Sequence, residues 1–355
     1  MNINTDFILL SKDNAIIAWN YVEHTQYQLS TSYSLRYVEL MCKPQMYDPH
    51  NPIDKDLADY GLVKDFSSCT RDWGWDILSE IFHYGTKDLD TSNCPADEEA
   101  WAEAYIAHCE EILVKTNQKP PTTSILELEK IPLPTSPMPI ITLEDAFLLR
   151  KTCRDFHAMP VNLQQLSVVL KATLGFRQAE NNQNIPLEFS IRRYSPSGGG
   201  MNATNGYVYI NSVGELKRGF YKYDPNDHSI ILIKSTGRDL GSITNGQHFS
   251  DTAAFAILLT SRLNRLWWKY SHSRAYRMAL IELGHHSQTA LLSIAATGLK
   301  SWITGALEDT IIETELGIAG THEQVFFCIA AGHGTDSPIS KALLQRLNGN
   351  ENNSV

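Results

Sequence analysis

Apolar residues recur at the three- to four-residue spacing of a helix in several stretches of the chain. Over residues 98–115 this spacing predicts a helix, and one face of it carries Trp101, Tyr105, His108 and Ile112. Similar spacing recurs before and after that stretch. The predicted helices cover residues 35–41, 57–61, 98–115, 142–152, 163–174 and 274–298.

Short apolar runs bounded by turn residues predict strands in the last two-thirds of the chain. They cover residues 207–213, 229–234, 254–261 and 326–331. The strands and helices are mixed without a regular strand–helix–strand rhythm. This order favours an α+β fold over a doubly wound parallel sheet.

A proline-rich stretch at residues 115–141 is the clearest break in the chain, and it predicts an interdomain linker. Residues 1–114 then form a small, mainly helical domain, and a winged-helix unit is one of the folds that its pattern fits. Residues 142–345 form the main domain, and residues 346–355 form a polar tail.

Composition narrows the classes of function. The net charge of −10 argues against nucleic-acid binding, which needs Lys and Arg to neutralise phosphates. The six cysteines are scattered without a CxxC pair, as is typical of reduced thiols in the cytoplasm. No run reaches the ~18 apolar residues of a membrane span, and no signal peptide is evident. We therefore expect a cytoplasmic protein without nucleic-acid or membrane partners.

Arg150, Thr152 and Arg154 form the first group of candidate binding residues, at the end of a predicted helix that Thr142 can cap. Residues four apart on a helix share a side, so the two guanidinium groups can converge. With the hydroxyl of Thr152 they suit a phosphate monoester. Alternatively, the segment is a basic helix end that interacts favourably with its own dipole.

A second candidate segment, SPSGGG at residues 195–200, precedes a predicted strand. Its glycines allow a close approach of the backbone, whose N–H groups could donate to a flat heteroaromatic ring. No GxGxxG or Walker A lysine is present, which argues against a nucleoside triphosphate site. The alternative is a flexible hairpin loop.

The RxTxR box, the PSGGG loop, the YVYI strand and the hairpin at 218–225 resemble, in that order, the nitroreductase superfamily. Over about residues 132–340 they resemble most closely the SagB-type or McbC-type dehydrogenases, the FMN-dependent azoline oxidases of ribosomal peptide natural-product biosynthesis. The resemblance implies a central, mainly antiparallel sheet flanked by helices. It also implies FMN binding by Arg150, Thr152, Arg154, Ser195, Pro196, Ser197, Gly198, Gly199 and Gly305.

The same resemblance implies a homodimer with the flavin at the subunit interface. The apolar stretch at residues 291–297 could supply part of that contact or belong to the internal core. Adjacent histidines at 285 and 286 point about 100° apart on a helix and cannot readily share a metal ion, so no metal site is predicted.

Lys269 and Tyr270 resemble the Lys-Tyr pair that is implicated in catalysis in the azoline oxidases. Oxidising an azoline removes a hydride to the flavin and a proton to a base. A nearby ammonium group favours a phenolate, which suits Tyr270 as the base. Alternatively, the pair is the start of an amphipathic helix with a surface lysine.

These residues predict an FMN-dependent dehydrogenase of a modified peptide, which converts an azoline to an azole while O₂ reoxidises the flavin. The N-terminal domain would hold the peptide or a partner cyclodehydratase. Two alternatives stay open: an NAD(P)H-dependent reductase of small molecules, and a non-catalytic flavoprotein scaffold of a biosynthetic complex. A plain reductase needs no base on its substrate, so the Lys-Tyr pair favours the first function.

Overall fold

The computed structural model describes residues 1–64, 73–87, 94–114, 129–177 and 190–351. The chain divides into two compact units, Met1–Glu98 and Glu99–Val355. None of the described helices is long and apolar enough to cross a membrane.

The N-terminal unit combines helices with a three-stranded antiparallel sheet. Asp13 and Asn14 join the first two strands of this sheet in a tight turn in which both residues have positive φ, as type I′ hairpins require. The helices are α1 Thr31–Cys42, α2 Pro52–Asp59 and α3 Ile77–Gly85. The strands are β1 Asn2–Ile3, β2 Phe7–Lys12, β3 Ala15–Asn20, β4 Thr25–Leu29 and β5 Val63–Lys64.

Helix α4, Glu98–Val114, lies with the second unit, whereas the sequence pattern placed it in the first. It buries Cys109 and Ile112 against Met201, Ala203, Leu266 and Trp268. Trp101, which the helical spacing grouped with Ile112, is 55% exposed. The buried face of the helix is therefore narrower than its apolar spacing predicts. The boundary between the two units comes before this helix.

The predicted linker is only partly tested by the structure. Residues 115–128 lie outside the described residues. Beyond them, β6 Lys130–Pro132 pairs with a strand of the main sheet and forms its edge. A proline is tolerated there because an edge strand need not donate on both sides. The C-terminal part of the linker therefore belongs to the second unit.

A seven-stranded sheet forms the centre of the second unit, and all of its neighbouring strands are antiparallel, which confirms the predicted fold class. In space the order is β11-β12-β10-β7-β8-β9-β6. The remaining strands are β7 Thr204–Ile210, β8 Gly219–Asp224, β9 Ser229–Ser235, β10 Phe255–Arg262, β11 Lys300–Thr304 and β12 Glu323–Gly332.

Helices cover both faces of this sheet. They are α5 Leu143–Leu149, α6 Leu163–Leu174, α7 Leu263–Lys269, α8 Ala275–Ala296, α9 Asp309–Leu316 and α10 Lys341–Glu351. Alternate residues of β7 point to opposite faces. Val208 and Ile210 pack in the core with α6 and α8, whereas Tyr207 and Tyr209 pack in the core with α9.

The apolar stretch at residues 291–297 belongs to the internal core. Leu291 and Ile294 of α8 pack with Leu166 and Leu170 of α6. This stretch is therefore not the subunit contact that the sequence left open. The predicted polar tail is also shorter than expected, because α10 extends to Glu351.

Candidate functional site

The RxTxR box follows helix α5, whose N-terminus Thr142 caps by accepting from Asp145 N. The helix ends at Arg150, where the backbone turns extended, so the prediction of a helix to residue 152 was wrong. Thr152 forms an isolated parallel bridge with Ser301 of β11. In an extended chain every second side chain points to the same side. The side chains of Arg150, Thr152 and Arg154 can therefore still converge.

The two arginines of the box have donors that suit a phosphate. Nη1 of Arg154 donates to the carbonyl oxygen of Pro338 at 2.6 Å, and its guanidinium lies 5.8 Å from the ring centre of Phe249. These contacts orient the group, and an arginine has five N–H donors, so others stay available. The neighbouring Lys151 instead pairs with Asp336 at 2.9 Å. The donor set of Arg150, Thr152 and Arg154 fits a phosphate monoester.

The glycine loop makes a single tight turn at Gly198–Gly200. Gly199 and Gly200 have φ values of 60° and 71°, which glycine adopts without strain. An ideal Cβ on Gly199 would overlap the hydroxyl of Tyr270 and lie 3.0 Å from Nζ of Lys269. Glycine is therefore required at 199 by both conformation and space, and the loop lies directly against the Lys-Tyr pair.

A buried carboxylate, Glu282 of α8, fixes the glycine loop. The hydroxyl of Ser197 donates to its Oε2 at 2.6 Å, and Thr204 donates to its Oε1 through N and Oγ1, both at 2.9 Å. Ser197 also accepts from Asn202 N at 2.8 Å. The hydroxyl proton of Ser197 is thus already engaged, so its side chain holds the loop, and the backbone is left to contact a ligand.

Replacing Glu282 with Gln should loosen the loop. One oxygen becomes an amide donor, which leaves either Ser197 or Thr204 without its buried acceptor. An unsatisfied buried group costs about 1–3 kcal/mol. Thermal unfolding should therefore shift downwards and flavin content should fall. Glu215→Gln, at an exposed position, is the matched control. Unchanged stability and flavin content in the Glu282 variant would contradict this role.

Lys269 and Tyr270 end helix α7 beside the loop. Lys269 is only 2% exposed, and its Nζ donates to Gly199 O at 3.1 Å and to the hydroxyl of Tyr105 at 3.2 Å. The expectation of a surface lysine is therefore excluded. Burial raises the pKa of Tyr270 and outweighs the lowering by the Lys269 ammonium. The ammonium favours the phenolate, as the sequence predicts, but Tyr270 is a phenol at neutral pH because burial has the larger effect.

The register of the sheet separates the box from the loop. Thr152 pairs with Ser301 of β11. Across the sheet, Ser301 lies level with Ala331 of β12, Phe255 of β10 and Ile210 of β7. The loop joins β7 at Thr204, at the other end of that strand. A strand rises about 3.3 Å per residue, and neighbouring strands lie about 4.8 Å apart, so Ser301 and Thr204 lie roughly 24 Å apart. One chain therefore places the box beside the edge strand β11 and the loop at the far end of the central strand β7.

Gly305 follows β11, and His286 lies on helix α8. Gly305 follows β11 at the end away from Ser301, and a Cβ there would make ordinary contact with Phe327. His286 is fully buried and its Nδ1 donates to Thr173 O at 2.6 Å. Burial lowers the pKa of His286 to about 4, so this side chain is a neutral core residue. No group of three candidate metal ligands occurs among the described residues.

The model of the nitroreductase family matches residues 149–333, which is more than half of the 355-residue chain. The chain belongs to the nitroreductase family. Members of this family are FMN-dependent oxidoreductases. The matched range contains the box, the glycine loop and the Lys-Tyr pair.

Two sequence relatives of this nitroreductase-family protein differ in what they cover. A Methanocaldococcus jannaschii protein named as a nitroreductase is 28% identical over 180 residues, which are 50% of this chain and 85% of that protein. The trifolitoxin-processing protein TfxB of Rhizobium leguminosarum is 25% identical over 132 residues. That alignment spans 36% of this chain and 35% of TfxB, so the chain covers about a third of that relative.

Solved structures with similar folds include a nitroreductase-named protein of Anabaena variabilis, with 23% identity and a TM-score of 0.49. The match covers 60% of this chain and 43% of that one. A chain of the Escherichia coli microcin synthetase McbBCD complex, which has truncated pro-MccB17 bound, has 16% identity and a TM-score of 0.44. It covers 70% of this chain and 99% of that one.

A cavity of about 680 Å³ opens beside the glycine loop of this nitroreductase-family protein. Helix α4 supplies one wall through Tyr105 and Cys109, and Arg192 and Arg193 supply part of another. Sequence reasoning missed Tyr105 and Cys109 because α4 was assigned to the other domain. The adjacent arginines just before the loop were the available signal.

Proposed function

We propose that this protein binds FMN and dehydrogenates a modified peptide, converting an azoline to an azole. The observation that carries the proposal is the buried lysine Lys269, held with Tyr270 against Gly199 of the glycine loop. A reductase of small molecules has no use for a base at this place. The partial similarity to TfxB, which is named for trifolitoxin processing, supports a peptide substrate.

FMN would be held by two sets of donors. Arg150, Thr152 and Arg154 would bind its phosphate, and the loop Ser195, Pro196, Ser197, Gly198 and Gly199 would offer backbone groups to its ring. Gly305 stays a further candidate for a backbone contact. When bound, FMN would supply the acceptor for the hydride that leaves the azoline carbon, and its reoxidation by O₂ would give H₂O₂.

The Lys-Tyr pair would take the proton. Its accepting atom is the phenolate oxygen of Tyr270, which the ammonium of Lys269 stabilises from a buried position with Nζ 5.9 Å from the ring centre. Because burial raises the pKa of Tyr270, the phenolate is a minor form at neutral pH. The oxidation rate should therefore rise with pH towards that raised pKa.

We infer that two copies of the chain complete the site. The box and the loop lie roughly 24 Å apart within one chain by strand geometry. Helix α5 packs against α8. Apolar side chains are exposed on α5 and on the first half of α8. Those side chains are Leu143, Phe147, Leu148, Met278, Leu280 and Ile281. Exposed apolar side chains on two neighbouring helices are typical of a protein interface. A two-fold contact would bring the box of one copy to the loop of the other.

The N-terminal unit is proposed to bind the peptide or a partner cyclodehydratase. Strand β4 is an edge of its sheet and borders a cavity of about 390 Å³. Tyr33 and Tyr60 line that cavity. An extended peptide can add to an exposed sheet edge and place its side chains in an adjacent pocket.

The flavin-loaded protein should oxidise a thiazoline-containing precursor peptide in air, with a loss of two hydrogen atoms detected by mass spectrometry. A leader-bearing peptide should have a lower KM than the same core peptide without its leader. Rapid NAD(P)H consumption with nitroaromatics, and no change in any thiazoline peptide, would instead support the small-molecule reductase. Colourless protein that cannot be reconstituted with FMN would exclude both enzyme functions.

A further inference from the structure

We propose that the cavity beside the glycine loop binds a carboxylate of the substrate, so that the protein selects acidic, amphipathic peptide-derived molecules. The inference rests on the proposed function, which places the reacting group of the substrate beside the Lys-Tyr pair. It adds the chemical class of the substrate and the residues that would recognise it.

The charge of the cavity is opposite to that of the chain. Among the described residues that line it, three are the arginines Arg177, Arg192 and Arg193, and one is the acid Glu110. The chain as a whole carries a net charge of −10. Guanidinium groups bind carboxylates with paired donors in a matched geometry. Clustering three of them in one cavity favours an anionic ligand there.

Arg193 supplies a buried donor without a partner. The residue is 6% exposed, and its Nη1 donates to Thr204 O at 2.6 Å. Its Nε makes no hydrogen bond among the described residues, although it is buried. Burial lowers the pKa of Arg193 to about 10, with the charge of Glu282 opposing the shift. The guanidinium therefore stays charged at neutral pH beside the cavity, and a buried positive charge favours an anionic group there.

The rest of the cavity suits an apolar body. Ile106, Cys109, Leu113 and Ile191 line it with apolar atoms. Tyr105 also lines it and accepts a hydrogen bond from Lys269. The volume of about 680 Å³ falls within the range of sites for small-molecule ligands. A substrate whose acid lies among the arginines would therefore extend along Gly199 of the glycine loop and Tyr105, the two residues that Lys269 contacts.

Equilibrium binding to the full-length protein as purified tests the inference without requiring turnover. The probes are a thiazoline-bearing tripeptide with a free C-terminal carboxylate, its C-terminal amide, and an amide that carries a Glu side chain. Because hydrogen bonds to charged groups contribute about 1.5–3 kcal/mol, the free acid should bind roughly 10- to 100-fold more tightly than the plain amide. Recovery of affinity by the Glu-bearing amide would show that a side-chain carboxylate can take the same place, and failure to recover would restrict recognition to the C-terminus.

Arg177→Gln and Arg192→Gln should remove most of the preference for the acid, whereas Arg238→Gln, on an arginine outside the cavity, should retain it. Equal binding of acid and plain amide by the unmodified protein would overturn the inference. A full acid preference in both cavity variants would overturn it too. Loss of flavin from these variants would assign the cavity to the FMN phosphate instead. An acid preference without any oxidation would support the cavity assignment and contradict the proposed dehydrogenation.

Discussion

Replacing Lys269 with Ala, or Tyr270 with Phe, should abolish peptide oxidation while FMN stays bound. Removal of a general base typically lowers the rate by about 10²–10⁴-fold. The rate of the unmodified protein should rise with pH, because the raised pKa of Tyr270 keeps the phenolate scarce near neutrality. The Phe variant should lose that rise. Steady-state oxidation of a thiazoline peptide across pH measures both effects.

The flavin half-reaction provides the control for these variants. A chemical reductant should still bleach the FMN of both, because that step needs no protein base. Near-normal turnover with an electron-accepting dye, together with undiminished peptide oxidation, would exclude the pair as the base. Loss of flavin would mean that the pair supports the glycine loop structurally, as the contact between Lys269 and Gly199 O would allow.

The double replacement of Arg150 and Arg154 with Ala should weaken FMN binding by roughly 10²–10⁴-fold. Each hydrogen bond to a charged group contributes about 1.5–3 kcal/mol, and about 1.4 kcal/mol corresponds to a tenfold change. Fluorescence titration of the apoprotein with FMN measures the loss. Lys151→Ala is the matched control, because Lys151 lies in the same segment but pairs with Asp336. A double variant that purifies with a full complement of FMN would contradict the assignment of the box.

Elements with long apolar runs were predictable from the sequence. Strand β10 and helix α6 were placed within a residue because both are buried along almost their whole length. Strands β2 and β4 were missed. They are only partly buried, and several of their residues are exposed, so their apolar pattern is weak.

The parts of the site that were missed depend on contacts between distant segments. The extended geometry of the box arises from pairing of Thr152 with Ser301, which local helical spacing cannot show. The role of Glu282 depends on Ser197 and Thr204, which lie some 80 residues away in the chain. The raised pKa of Tyr270 follows from burial, whereas the sequence shows only the neighbouring lysine.

Mixing two defective subunits tests most directly whether FMN binds between the box of one copy and the loop of another. One subunit would carry Arg150→Ala with Arg154→Ala, and the other Gly199→Val, which crowds Tyr270 and Lys269. In a two-fold dimer of the two, one site combines both defects and the other combines the intact box with the intact loop. Purified heterodimer should therefore retain about half of the flavin of the unmodified dimer, while each variant alone is nearly colourless. A colourless heterodimer, or a flavin-loaded monomer of the unmodified chain, would contradict the shared site.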